Sequence, residues 1–318
     1  MMLYILTGML SLIHISQMRN PSPATQKKQA LAELNVILTH RQKFIKVHAA
    51  EYLIWTGHSN IPLKEFLKEE KLHGTEPKYR VVIWRVLVQA EKEPAHKKIW
   101  LDKIYGAYKD MNGPDRTHAT ETLAKLKQPV INLFPEVTVK TLASDDRNLG
   151  TYALWASSYG SAKRMDKNRE KLLNMALTDT SLTIRKISAY VLRKEQGLTI
   201  PQWDRLAKAA LETNKADDGY VTLLTTALVT APTKADAKKL LQIDESLIEN
   251  VGGYSVGEQT ELAQALAEKV TKKHLSLLVD LMNDKYSAGI YDPASDEGAD
   301  MRAAAAYAIL KINDRQNK

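Results

Sequence analysis

The segment IKVHAAEYL (Ile45–Leu53) decides the fold, because it returns as DRTHATETL (Asp115–Leu123), IRKISAYVL (Ile184–Leu192) and MRAAAAYAI (Met301–Ile309). The copies share a basic second position (Lys46, Arg116, Arg185, Arg302) and small residues at positions five and six. Weaker copies start at Tyr79, Leu149, Gly219 and Gln259, so successive starts lie 34, 36, 34, 35, 35, 40 and 42 residues apart. At 3.6 residues per turn, positions 1, 5, 8 and 9 share one helical face. Small residues at 5 and 6 let a neighbouring helix approach closely. The segment before each copy supplies another amphipathic helix, as in 26–38, 63–72, 97–108 and 167–177. A pair this short cannot bury its own apolar face, so neighbours must stack.

The expected fold is therefore all-α, with no alternating strand. The basic second position and small pair resemble the HEAT-repeat family over about residues 26–313. That resemblance implies a right-handed α-α superhelix, a HEAT-like (armadillo-like) solenoid of about eight helix pairs. The alternative is an irregular helical bundle. FIKVHAAEYLIWTG (Phe44–Gly57), YRVVIWRVLVQA (Tyr79–Ala90) and DRTHATETLAKL (Asp115–Leu126) look like uncharacterised bacterial HEAT-repeat proteins. Repeats of that group sometimes accompany sodium:solute symporters, which implies an association with transport or the envelope and defines no activity.

The expected organisation is an apolar segment and linker over residues 1–25, the solenoid over 26–313 and a short tail over 314–318. Residues 1–15 (MMLYILTGMLSLIHI) are apolar and uncharged, yet short for a span of about 20 residues. No basic residue precedes them and no clear cleavage site follows. Three readings stand: an atypical signal or anchor, the stub of a longer membrane segment, or a capping helix. An exported or membrane-associated location is favoured over a cytoplasmic one. Two prolines in NPSPAT (Asn20–Thr25) mark the linker.

Positions 4, 7 and 11 of each copy fall at about 300°, 240° and 280°, away from the packing face. In HEAT stacks the second helices line the concave side. A ladder is expected there: His48, Glu51 and Trp55; then Val82, Arg85 and Gln89; then His118, Glu121 and Lys125. The next copies contribute Tyr152, Trp155 and Tyr159, followed by Ile187, Tyr190 and Lys194. Later copies offer Thr222, Thr225, Leu262 and Ala265, so aromatic and ionisable groups concentrate in repeats 1–5. The ladder has two readings, inter-repeat packing or contact with a ligand or partner. Trp84, Trp100 and Trp203 read as core.

Specific chemistry finds little support. The two His-x-x-Glu strings, His48–Glu51 and His118–Glu121, sit two repeats apart, roughly 20 Å in a regular stack, and each offers two ligands. No cofactor and no metal is expected. There is no Gly-x-Ser-x-Gly elbow, Gly-rich phosphate loop or His-Glu-x-x-His. The acidic stretch 283–300 lacks EF-hand spacing and reads as a solvated loop. With no cysteine among 318 residues, disulfides and thiolate chemistry are excluded.

The formal charge of +8 divides unevenly, about +13 over residues 1–216 and −5 over 217–318. A basic first two-thirds attracts acidic partners, anionic lipid or nucleic acid. The leading expectation is a non-enzymatic binding or scaffold protein. Its concave face at repeats 1–5 would hold a protein partner or a small polar ligand, with possible membrane association through residues 1–15. The rivals are a nucleic-acid-binding protein of the DNA-repair type and an enzyme using the His/Glu ladder.

Overall fold

The computed structural model describes residues 22–269 and 271–314. Among them all regular structure is helical, apart from turns. The chain runs α1 (Pro23–His40), α2 (Lys43–Trp55), α3 (Asn60–His73), α4 (Tyr79–Ala90), α5 (Pro94–Lys109) and α6 (Arg116–Lys125). It continues through α7 (Val130–Leu133), α8 (Pro135–Leu142), α9 (Arg147–Ser158), α10 (Ala162–Thr178), α11 (Leu182–Glu195) and α12 (Ile200–Glu212). The last helices are α13 (Tyr220–Thr230), α14 (Ala237–Ile248), α15 (Val256–Lys269), α16 (Leu275–Met282) and α17 (Asp296–Asp314). Among the described residues no helix is long and apolar enough to cross a membrane. Segment 1–15 and the tail beyond Asp314 lie outside the described residues.

Caps explain many of the boundaries. Ser22, Asp146, Ser161, Ser181 and Asp236 accept backbone N–H groups that the first helical turn leaves unpaired. Thr199 and Gln202 form a reciprocal capping box at α12. Helix α1 begins at Pro23, inside the segment expected to be a linker. Proline is tolerated there because the first helical N–H has no intrahelical partner anyway. Pro135 acts the same way and divides α7 from α8.

The copies of the repeated segment fall on α2, α4, α6, α9, α11, α13, α15 and α17. Their small pairs do what their size requires: Ala49–Ala50, Ala119–Thr120, Ser188–Ala189 and Ala305–Ala306 are fully buried. Leu53, Leu123, Leu192 and Ile309 at position 9 are also at 0% exposure. Burial of each such side chain is worth about 1.5–3 kcal/mol. The basic second positions reach away to neighbouring elements. Lys46 Nζ meets Glu69 Oε1 on α3 at 2.6 Å, Arg116 donates to Thr141 Oγ1 on α8 at 2.8 Å, and Arg302 Nε meets Glu33 Oε1 on α1 at 2.7 Å. Trp203 is wholly buried and donates to the Ala227 carbonyl. Trp84 is nearly buried, whereas Trp100 is half-buried with the Lys103 ammonium 4.7 Å over its ring.

Each copy-bearing helix packs on the next, from α2 through α4, α6, α9, α11, α13 and α15 to α17. Helix α17 then packs on α2 and α1 as well. The first and last described helices are therefore in contact. Lys27–Asp314, His48–Asp300 and Glu33–Arg302 bridge the junction, and Tyr52 stacks on Tyr307 at 4.6 Å and 12° between planes.

Candidate functional site

Closing the circuit turns the ladder of positions 4, 7 and 11 inward from both ends of the chain. Two adjoining cavities, of about 270 and 240 Å³, result. Both are lined by Glu51, Trp55, Lys125, Tyr190, Lys194 and Glu268. The first adds His48, Tyr52, Glu121, Tyr152, Gln264 and Tyr307. The second adds Gln89, Lys127, Trp155, Tyr159, Arg193 and Gln196.

The expected ladder residues do not all face these cavities. His48, Glu51, Trp55, Glu121, Tyr152 and Tyr190 line the first, and Trp155 and Tyr159 line the second. Arg85 stands behind Glu51, 2% exposed, donating through Nε to Oε1 at 2.7 Å and through Nη2 to Oε2 at 3.2 Å. His118 is turned away, its ring centroid 6.0 Å from Phe44. Burial holds the His118 imidazole below its usual pKa. Glu51 and Glu121 do line one cavity, despite the two-repeat separation.

The later repeats were expected to present small or neutral groups, and here the structure differs. Helix α15 is read one residue late when its copy starts at Gln259. Leu262 and Ala265 are buried in the core, and Glu261, Gln264 and Glu268 take the inward positions. In α17 the same register brings Tyr307 and Lys311 inward. The signal was present as the polar triplet spaced 3 and 4 residues apart, against an apolar Leu262-Ala263-Leu266 face.

A connected polar network fixes the walls. Gln89 Nε2 donates to Glu51 Oε1 at 2.7 Å, and Trp55 Nε1 donates to Gln89 Oε1 at 2.8 Å. Gln264 Nε2 donates to the Tyr52 hydroxyl at 2.9 Å, and Trp155 Nε1 to the Tyr159 hydroxyl at 3.1 Å. Lys125 pairs with Glu121 at 2.8 Å, Lys311 with Glu268 at 3.3 Å and Arg193 with Glu261 at 2.5 Å. Burial alone would raise the Glu51 carboxyl, but the Arg85 and Lys125 charges bring it down to about 2. Burial likewise opposes ionisation of Glu121, and Lys125 and Arg85 overcome it. Desolvation pushes the Tyr52 and Tyr152 hydroxyls well above the usual phenol range, so both stay protonated as donors.

Ammonium groups sit over the aromatic faces. Lys194 Nζ is 5.6 Å from the Trp55 ring and 5.5 Å from Tyr190, Lys125 is 5.6 Å from Tyr190, and Lys311 is 5.4 Å from Tyr307. Lysines crowd this end of the inner helices for an electrostatic reason. Lys125, Lys194 and Lys311 lie in last turns, where unpaired carbonyls and the helix dipole favour cations.

Among the described residues no group of three or more His, Asp or Glu could hold a metal ion. Three carboxylates of the acidic stretch 283–300 have other partners. Asp284 meets Arg302 at 3.0 Å, Asp300 meets His48 at 2.7 Å, and Asp292 accepts the Ala294 N–H.

A larger cleft, about 620 Å³, lies where α8, α9 and α10 meet. Lys163, Arg164, Lys167 and Lys171 wall it above a floor of Leu142, Leu154 and Met175. None of its lining residues is aromatic. Comparison with protein-family models, with curated proteins and with solved structures finds no match for this chain.

Proposed function

We propose that the chain is a HEAT-like right-handed α-α superhelix of about eight helix pairs whose ends have met, and that it is a non-enzymatic binding protein for a small polar ligand. The observation that carries this reading is the pair of adjoining inner cavities. At about 30 Å³ per water, 270 Å³ corresponds to roughly nine water molecules. That is the bulk of one ring-sized molecule. Aromatic faces supply contact area, and carboxylates, amides and phenol hydroxyls held in place by the network supply orientation. Trp55 is 45% exposed and stands open to contact at the cavity mouth, while Tyr52, Trp155 and Tyr307 are at or below 5% and serve as wall. The association with envelope transport implied by the sequence resemblance suits a ligand-capturing role.

The test is a thermal-shift screen of neutral, anionic and cationic polar metabolites. A ligand that binds only the folded state stabilises by about 2.7 kcal/mol at 100-fold excess over Kd. At least one compound should raise the melting temperature, and Trp55→Ala should remove the rise. A screen with no positive compound in any class, or a rise unaffected by Trp55→Ala, would reject the reading.

A second reading has one observation behind it. Among the described residues no carboxylate lies within 4 Å of Lys163, Arg164, Lys167 or Lys171, so the outer cleft is a basic surface open to a nucleic-acid backbone. It requires DNA or RNA retention at low ionic strength that falls steeply with salt and is lost when these four residues become Gln.

A further inference from the structure

The charges of the inner cavities narrow the chemistry of the ligand. Each carboxylate that lines the cavities already has a cationic partner: Glu51 with Arg85, Glu121 with Lys125 and Glu268 with Lys311. Lys194 has no carboxylate within 4 Å among the described residues. Its ammonium rests over Trp55 and Tyr190, two of the six residues that line both cavities, and so stands where they adjoin.

Aromatic walls beside carboxylates are also how proteins recognise cations. That option is closed here, because the chain's own ammonium groups already occupy those faces. Lys194 covers Trp55, Lys125 and Lys194 flank Tyr190, and Lys311 covers Tyr307. An incoming cation would meet three ammonium groups at close range. An incoming anion would meet the Lys194 ammonium, with the exposed Lys127 ammonium on the second cavity beside it, and neither has a carboxylate within 4 Å among the described residues.

The remaining wall groups are planar hydrogen-bonding side chains and phenols. Glu121, Glu268 and Gln264 offer acceptors, and the Tyr52 and Tyr152 hydroxyls remain protonated. That set matches a ring carrying several hydroxyl groups, whose C–H face lies on an aromatic ring while its hydroxyls bond to carboxylates and amides.

We propose that the inner cavities bind a small polyhydroxylated carboxylate, of the sugar-acid class, with its single carboxylate on Lys194 Nζ. This deepens the small-ligand reading above and rests on it. Binding then replaces a cation–aromatic contact by an ion pair and exposes the Trp55 and Tyr190 faces to the ring.

Isothermal titration calorimetry on the full chain tests this with glucuronate, galacturonate and gluconate as probes, and with glucose and choline as neutral and cationic comparators. At least one of the three acids should bind at least tenfold more tightly than glucose, and choline should give no heat. Lys194→Gln should weaken acid binding at least tenfold, and Lys194→Arg, which keeps the charge, should retain it. Melting temperatures of both variants establish that they fold. Three results overturn the proposal: no acid binds, glucose or choline binds as well as the best acid, or Lys194→Gln keeps wild-type affinity. If the broad screen still finds a neutral or cationic ligand sensitive to Trp55→Ala, the small-ligand reading survives and only the anionic assignment falls.

Discussion

Glu51 on α2 and Arg85 on α4 form a two-point ion pair, 3% and 2% exposed, with Gln89 and Thr122 taking further hydrogen-bonding capacity of the same two groups. The pair joins two successive inner helices immediately behind the cavity wall. Removing one partner strands the other charge away from water, whereas replacing both with apolar groups removes the desolvation cost as well. Glu51→Leu or Arg85→Met alone should destabilise the fold by about 3–5 kcal/mol. The double variant should be less destabilised than the sum of the singles, which a double-mutant cycle from urea unfolding measures. Additive losses would show that the two groups act separately.

The same pair gives the fold an acid sensitivity with a defined sign. The Glu51 carboxyl sits near 2 when folded, against 4.5 as its ordinary value. Its contribution is therefore present above pH 4.5 and is lost as pH falls through about 2. The full effect is on the order of 3 kcal/mol. Other depressed carboxylates, such as Glu69 and Asp244, titrate in the same direction, so the informative quantity is a difference. Urea midpoints should fall between pH 4.5 and pH 2.5 by less in Glu51→Gln than in the wild-type chain.

The two tryptophans of the ladder should separate cleanly. Trp155 is 1% exposed and donates to Tyr159, so Trp155→Ala should cost about 3–5 kcal/mol. Trp55 is 45% exposed, and Trp55→Ala should change stability by under about 1 kcal/mol while removing ligand binding. Chemical denaturation of each variant, followed by calorimetric titration of Trp55→Ala, distinguishes a wall residue from a contact residue.

Contact between the two ends of the chain has its own signature. Tyr307 stacks on Tyr52 and lies 5.7 Å from Trp55, across the junction of α17 with α2. Tyr307→Ala should lower stability by roughly 3 kcal/mol. In hydrogen exchange it should speed the amides of α1, α2 and α17 more than those of α9 and α10, because local opening follows the contacts removed. A uniform change across the chain would count against a local junction.

Much of this was readable along the chain. The period of 34–36 residues in the first copies located every inner helix from α2 to α13, and the position rule placed Glu51, Trp55, Glu121, Tyr152 and Tyr190 on one side. It failed at α15, where an aliphatic Leu262 fits the fourth position as well as the core and slides the frame by one residue. A slip of one residue turns a helix by about 100°, enough to exchange lining for core. It also failed for His118 and Arg85, since a helical wheel gives the direction of a side chain and not what that side chain meets. Phe44 takes up the first, and the Glu51 carboxylate takes up the second.

The sequence by itself determined the helices, their small-residue packing faces and most of the inward ladder, because those follow from 3.6-residue periodicity and side-chain size within short segments. Only the tertiary structure decided that α17 packs on α1 and α2. That outcome depends on how every intervening helix packs on its neighbours, and no local pattern records it. With it came the partners of Tyr52 in Tyr307 and Gln264, the pairing of His48 with Asp300, and the conversion of an open face into two cavities.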